Sequence, residues 1–534
     1  MTTTSTSAQK LAQAVRESDE MLAPYRRNRL MFLRQYAGPY YVSRRGGPAA
    51  GGAEPLNMIY SVVSVVLPHL VATNPRAMIR TPRAALRRRA EVFALAWNHL
   101  AEEIDLSRSL RTVVADALFG VGIMKTGLAP GATVEGVEGF GGYLHDNGQP
   151  FADPVDVDDY VIDPQARARE QAAFEGNRYR LPRRYVLESD LFDRSLAERL
   201  PAGGQEPVVG SPQRAEELSP GRPGPGNPAE YLELLDLWLP NENVVVTIPA
   251  DADGPQGFLR EAAWEGPERG PYEMLGFHWV PNNVLPVPPV GLIFDLHVMV
   301  NKVARKLARQ ADRQKDLILF DERTAEEAEK IRDALDGQMV GVQNVDRYKQ
   351  VGFGGAGEEG YRHLAFLFEQ FSRIGGNTDL LGGLAPQSET LGQDEMLYAG
   401  ASVRIEDMRS QVYRFTKHVG GKLAWYLWYD PLIDLPLIKP APGGGQEQVT
   451  FSWRDREGDF LDYNFDIEPH SMSPDTPARK YRRVIDWIQR VILPTAGIAA
   501  AQGLKLDVSR LARITGRMLN IEEAPDLFVQ DSRE

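Results

Sequence analysis

Between Val290 and Asp430 the sequence spells a long helix, a small α/β insert, a short helix, a glycine-rich loop and one very long helix. That order constrains the fold more than any single motif. Leu296, Val300, Val303 and Leu307 recur at helical steps and predict an apolar face over about Gly291 to Leu319. Lys302, Arg305, Lys306, Arg309 and Arg313 run beside it as a basic stripe. Tyr398, Ala401, Ile405, Met408, Val412, Phe415, Val419, Leu423 and Leu427 keep the same spacing and predict a helix from Gly392 to Trp428. At about 1.5 Å per residue, its roughly 37 residues reach about 55 Å, far beyond the common globular helix. Gly400 and the Gly420-Gly421 pair inside it are candidate kinks. A helix of this length without a coiled-coil seam belongs in a large packed assembly, so the chain reads as a structural protein.

Composition narrows the class. A chain of 534 residues, 43% hydrophobic and 25% charged, can build three or four domains with substantial cores and reads as globular and soluble. Its formal net charge of −13 argues against holding nucleic acid by phosphate neutralisation over the whole surface, while leaving local basic surfaces open. The absence of cysteine removes disulfides, thiolate nucleophiles and cysteine-ligated metals, and fits a reducing compartment or a particle assembled in one. MTTTSTSAQK lacks the pattern of a signal peptide, and Leu56 to Ala72 is too short and interrupted to span a bilayer. No membrane association and a cytoplasmic origin are expected.

Along the chain, helices are predicted over Ala8 to Tyr36, with Arg26, Arg27 and Arg29 near its end, and over Pro55 to Val71, Arg83 to Leu100 and Leu106 to Phe119, the last closed by Gly120. Short strands are predicted between Gly122 and Val161, then over Tyr231–Leu239, Asn243–Pro249, Gln448–Trp453 and Tyr463–Ile467. The Pro-, Gly- and Glu-rich run Pro201–Pro228 reads as an exposed loop, and terminal helices are expected around Pro477–Leu493 and Val508–Leu519. The expected class is α+β, predominantly helical.

Catalytic motifs fail one after another. There is no GxxxxGK[ST], since Gly420-Gly421-Lys422 continues into Leu423 inside a helix, and neither HExxH nor GxSxG occurs. Gly352 to Gly357 matches GxGxxG after a strand-like run at Arg347–Val351, with Asp379 downstream, but a loop and a long helix follow where a second parallel strand is needed. It reads as a hinge. Asp153, Asp156, Asp158, Asp159 and Asp163 form an acidic run that a Mg²⁺-dependent hydrolase or nuclease would use. Two Asp-Pro turns bracketing a short edge strand are the favoured reading, with Asp153-Pro154 and Asp163-Pro164 as the turns. No catalytic residue, metal or cofactor is expected, and the chain is not expected to be an enzyme.

The order of elements resembles the portal proteins of tailed bacteriophages, and the resemblance covers most of the chain. It implies an α/β wing over 1–289, a first stem helix over 290–317, a small α/β clip over 318–357 and a second stem helix over 358–374. A tunnel loop over 375–391, a long wing helix over 392–430, wing strands over 431–472 and C-terminal crown helices over 473–534 complete it. Within the clip, Ile318–Asp321, Thr324–Leu335 and Met339–Val342 take the places of its strands and helix. The Asn57…Pro75 segment, Asp116–Gly122 and Pro154–Pro164 also resemble stretches of portal wings. The resemblance implies a dodecameric ring at one capsid vertex of the virion, assembled in the host cytoplasm. It would nucleate on capsid and scaffolding proteins, dock the terminase, then head-completion or tail adaptor proteins, and pass double-stranded DNA. Lys302, Arg305, Lys306, Arg309 and Arg313 would then face DNA in the channel. Gly375, Gly376, Asn377, Gly382, Gly383, Gln387 and Ser388 would belong to the tunnel loop, whose glycines suit a segment that follows the duplex. With no ATP-binding loop, the motor would be another protein. The alternatives are another virion or minor head protein and the metal-dependent hydrolase.

Overall fold

An amphipathic start lets the first helix, α1 (Ala8–Ala37), lay Ala8, Leu11 and Val15 against Leu235, Leu237, Val246 and Ile248 of a β-sheet. The computed structural model describes residues 7–37, 56–129, 149–200, 231–250, 257–353, 355–376, 391–430, 435–440, 446–468 and 471–472, with pieces at 485–486, 488–492 and 494–495. The chain divides into two compact units, Met1–Ser471 and Met472–Glu534. The described part of the second includes a π-helical turn over Ile488–Ile492; most of the expected crown lies outside the described residues.

In the first unit, α2 (Met58–Leu70), β1 (Ala77–Arg80), α3 (Arg87–Glu103) and α4 (Leu106–Phe119) precede β2 (Gly122–Leu128), β3 (Pro150–Val155), β4 (Tyr160–Ile162) and β5 (Glu175–Pro182). Two short helices, α5 (Arg183–Glu188) and α6 (Arg194–Arg199), then lead to β6 (Tyr231–Leu239), β7 (Val244–Pro249), β8 (Arg260–Ala263) and β9 (Tyr272–Leu275). After these come α7 (Pro289–Asp312), β10 (Lys315–Phe320), α8 (Ala325–Asp333), β11 (Tyr348–Phe353), α9 (Glu358–Gly375) and α10 (Leu391–Tyr429). The strands β12 (Leu435–Pro440), β13 (Gln446–Phe451) and β14 (Asn464–Ile467) close the unit.

One sheet has the order β4-β5-β6-β7-β8 and another β3-β2-β9; β1 pairs with β14, β10 with β11 and β12 with β13. All of these pairings are antiparallel. The chain is therefore mixed α+β. The glycine run 352–357 follows a strand in an antiparallel ladder, which leaves no βαβ unit for a dinucleotide.

The long helix is the spine of this unit. α10 runs through all 39 residues without a break, Gly400, Gly420 and Gly421 included. Ile405, Met408, Val412, Phe415, Val419, Leu423 and Leu427 are all buried, as their spacing predicts; the side chains of Tyr398 and Ala401 lie outside the description. Where α10 passes α3 and β14 the approach is close. A Cβ on Gly420 would come within 2.6 Å of the Phe465 ring and 3.0 Å of Trp97, and the Trp97 indole donates to the Gly420 carbonyl at 3.0 Å.

Three local expectations change. Asp153-Pro154 makes no turn: Pro154 lies inside β3, opposite Met124. Because β3 is an edge strand, a residue without an N–H is tolerated there. The helix expected to reach Leu319 stops at Asp312, because Lys315–Phe320 pairs with Tyr348–Phe353 from Lys315↔Phe353 to Phe320↔Tyr348. A β-prone Leu-Ile-Leu-Phe run with an available partner strand overrides the helical spacing before it. Residues 339–342, expected as the second strand of that insert, are irregular.

Candidate functional site

α7 and α9 pack as an antiparallel helical hairpin, with Gly360 against Leu307 and Gly375 against Ile293. Pro289 at the first turn supplies the fixed φ that starts α7. Its predicted stripe does the packing: Leu296, Val300 and Val303, with Ile293, meet Leu364, Leu367 and Phe371 of α9, and Met58 of α2 joins them. Two buried polar side chains anchor the base of α7. Asn301 accepts from the Leu56 N–H at 3.0 Å and donates to the Leu56 carbonyl at 2.9 Å. His297, one turn away and next to Gln35, is lowered to about 4 by burial, so it is neutral near neutral pH.

Past this base the packing stops. Leu307 and Leu367 are buried, yet no described side chain between them is. That stretch holds the ends of both helices and a lobe made of β10, α8 and β11, fastened where the Tyr348 hydroxyl donates to Glu327 at 2.7 Å. Alternation puts Leu317 and Leu319 on one side of the two-stranded ladder and Phe320 on the other. All three are exposed, as are Leu335, Met339 and Val345 around them. The helices have uncovered apolar residues too: Tyr361, Phe366, Phe368 and Ile374 on α9, and Leu292, Val298 and Met299 on α7. A lone two-stranded ladder is marginal in water, and these apolar residues have no cover among the described residues.

The basic stripe lies on the open side of α7. Leu292, Asp295, Met299, Lys302, Lys306, Arg309 and Arg313 follow one another at helical steps and are all exposed. The face thus turns from apolar to cationic toward its C-terminal end. Lys302, Lys306, Arg309 and Arg313 have no carboxylate partner among the described residues. Arg313 sits just past the helix as its cap residue. Arg305 is set apart, half-buried and donating to the Asn301 carbonyl at 3.3 Å. Of the expected loop residues, Gly375 ends α9 and Gly376 caps it at φ +89°, a left-handed conformation that favours glycine. Asn377, Gly382, Gly383, Gln387 and Ser388 lie outside the described residues.

The acidic run is occupied structurally. Asp156 and Asp116 both pair with Arg29, at 3.1 and 2.5 Å. Asp158 donates its backbone N–H to the Asp156 carboxylate, and Asp163 accepts from the Gln165 and Ala173 backbones. Among the described residues no group of His, Asp and Glu could hold a metal ion. Helix α1 anchors three later segments of the chain. Asn57 caps α2 and donates to the Tyr36 carbonyl at 2.8 Å, while Asp116 and Asp156 converge on Arg29.

Behind this, α10 is pinned to β9 by a buried ionic cluster that no spacing in the sequence announces. Lys422 donates to the Tyr272 carbonyl at 2.6 Å and pairs with Glu273 at 3.0 Å. Arg169 bridges Glu273 and Glu175. Burial pulls the Lys422 ammonium down to about 8 and pushes the Glu175 carboxyl up. Burial also pushes Glu273 up, but His418, Lys422 and Arg169 outweigh it and hold it at about 2. No helix among the described residues is long and apolar enough to cross a membrane.

Neither a protein-family model nor a curated protein sequence matches this chain.

Proposed function

We propose that the protein is a portal: a ring of identical chains whose α7–α9 hairpins stand side by side around a channel for double-stranded DNA. The observation that carries this reading is the stretch between Leu307 and Leu367, a hairpin end and lobe in which no described side chain is buried. Such a segment gains its packing from another chain, and copies of the same chain are the economical source, since closed rings repeat one interface. In this reading β10, α8 and β11 are the clip and α7 and α9 the stem. The first unit otherwise supplies the wing.

The exposed cations at the C-terminal half of α7 support a lumen role. A few basic rings centre a duplex, while a net charge of −13 keeps the channel from gripping every phosphate. Docking of a terminase and then of head-completion or tail adaptor proteins at the clip, and contact with capsid and scaffolding proteins at the vertex, belong to the same proposal. The chain itself carries out no chemistry in this account; translocation is driven by a separate ATPase.

Electron microscopy and sedimentation of the purified chain test it. The expected result is an annulus of about twelve copies of the 59.4 kDa chain with a central hole. A chain that stays monomeric across protein concentration, salt and Mg²⁺ overturns the reading. Compact oligomers without a hole favour a minor head protein instead.

A further inference from the structure

A cavity of about 530 Å³ opens between the two larger sheets and the end of α10, within the size range of small-molecule sites. Phe151, Trp238, Trp264, Trp425 and Tyr426 are among its walls. The Trp238 indole N–H is buried and has no acceptor among the described residues. Lys125 and Arg260 also line the cavity, and both reach the same Asp236 oxygen, at 3.6 and 3.3 Å. Each keeps about a quarter of its side chain accessible (24% and 26%) although protein surrounds it.

The other charges facing this pair are few. Asp153 stands opposite Lys125 on β3. Glu265 lines the cavity at an exposed position. Asp430 is buried beside Arg456, whose guanidinium donates to the Asp430 and Trp428 carbonyls. The Asp236 carboxylate is already saturated, since its other oxygen accepts from Tyr179 at 2.8 Å and Thr247 at 2.6 Å. Lys125 also donates to the Asn177 side chain at 2.9 Å. Arg260, bonded only to Thr247 and to the saturated Asp236, therefore offers the stronger attraction for a further anion, and aromatic walls favour a flat apolar body attached to it.

We propose that this cavity is a binding site for a small planar aromatic anion, with its ring against the tryptophans and its anionic group on Arg260, beside Lys125. The site stands on its own geometry and does not rest on the ring reading.

Binding of 2-naphthoate to the full chain, followed by tryptophan fluorescence and equilibrium dialysis, tests it against the uncharged 2-naphthalenemethanol. The expected result is one naphthoate per chain and at least a tenfold preference over the alcohol. Arg260→Gln is expected to erase most of that preference. Ala262→Trp, at an exposed lining position opposite Val245 on the adjacent strand, is expected to weaken naphthoate tenfold or more without shifting the unfolding midpoint. Equal affinity for the two probes overturns the proposal. Naphthoate binding that survives Ala262→Trp also overturns it, because the probe then sits on the exposed apolar surface of the hairpin. No binding at millimolar probe is a third overturning result.

Discussion

Arg29 reads in the sequence as the end of a basic run, yet its side chain is only 3% exposed and is clamped between Asp116 and Asp156. Burial disfavours the guanidinium, but Asp156 and Asp116 outweigh it and push its pKa up. Arg29→Ala leaves two carboxylates that are only about a fifth exposed (21% and 18%) without their cation and is expected to cost about 3 kcal/mol, read as a lowered urea midpoint. A loss below 1 kcal/mol would show that water replaces the clamp. Glu273 makes a pH-dependent contribution. Its folded pKa of about 2 lies below the ordinary 4.5, so the stability it adds is fully present above 4.5 and disappears as pH falls toward 2. That shift corresponds to at most about 3 kcal/mol. Glu273→Gln is therefore expected to flatten the unfolding free energy against pH in that window, relative to the unsubstituted chain. An unchanged acid limb would assign the loss to other carboxylates.

At the scale of elements, the adjacent glycines of α10 are expected to behave differently. A Cβ at Gly420 meets the Phe465 ring at 2.6 Å, whereas a Cβ at Gly421 meets nothing within 4 Å. Gly420→Ala is expected to destabilise by about 1–3 kcal/mol through overpacking against β14 and α3. Gly421→Ala relieves the helix penalty of glycine and is expected to stabilise by up to about 1 kcal/mol. Thermal unfolding of the two single variants decides it; equal effects would mean that α10 shifts to make room. The hairpin shows why its other apolar residues escaped a stripe analysis. On α9 the set Leu364, Leu367 and Phe371 faces α7, while Tyr361, Phe366, Phe368 and Ile374 lie outside it. A helix apolar on more than one side has no single stripe to read, and its outer face becomes visible only once the first partner is in place.

For the whole molecule, the ring reading makes two separable expectations. Phe366→Glu together with Leu319→Glu puts charge on surface that is exposed in the single chain, so the monomer is expected to fold while the annulus fails to form. Sedimentation with circular dichroism separates these outcomes, and intact rings in the double variant would place the subunit contacts elsewhere. Replacing Lys302, Lys306 and Arg309 by Gln is expected to leave the ring intact while weakening DNA retention. The dependence of retention on salt should become shallower by roughly one unit of slope for each phosphate that is no longer neutralised. Loss of the ring in that triple variant would show that the stripe is a subunit contact rather than a channel lining.

Local periodicity was enough to set several elements. Leu106–Phe119 as a helix, Tyr231–Leu239 as a strand and the buried face of α10 follow from periodicities that each segment carries alone. Features that depend on distant partners emerge only from packing. The end of α7 was set by a strand that pairs with Tyr348–Phe353, and the burial of Arg29 by carboxylates far along the chain. Lys422, which the sequence shows only as the tail of a failed phosphate-loop match, became part of a buried ionic cluster. The cavity walls come from strands and a helix that the sequence keeps far apart. Spacing records which face of a segment avoids water, but burial of a charge and the absence of a covering partner are properties of the assembled surfaces.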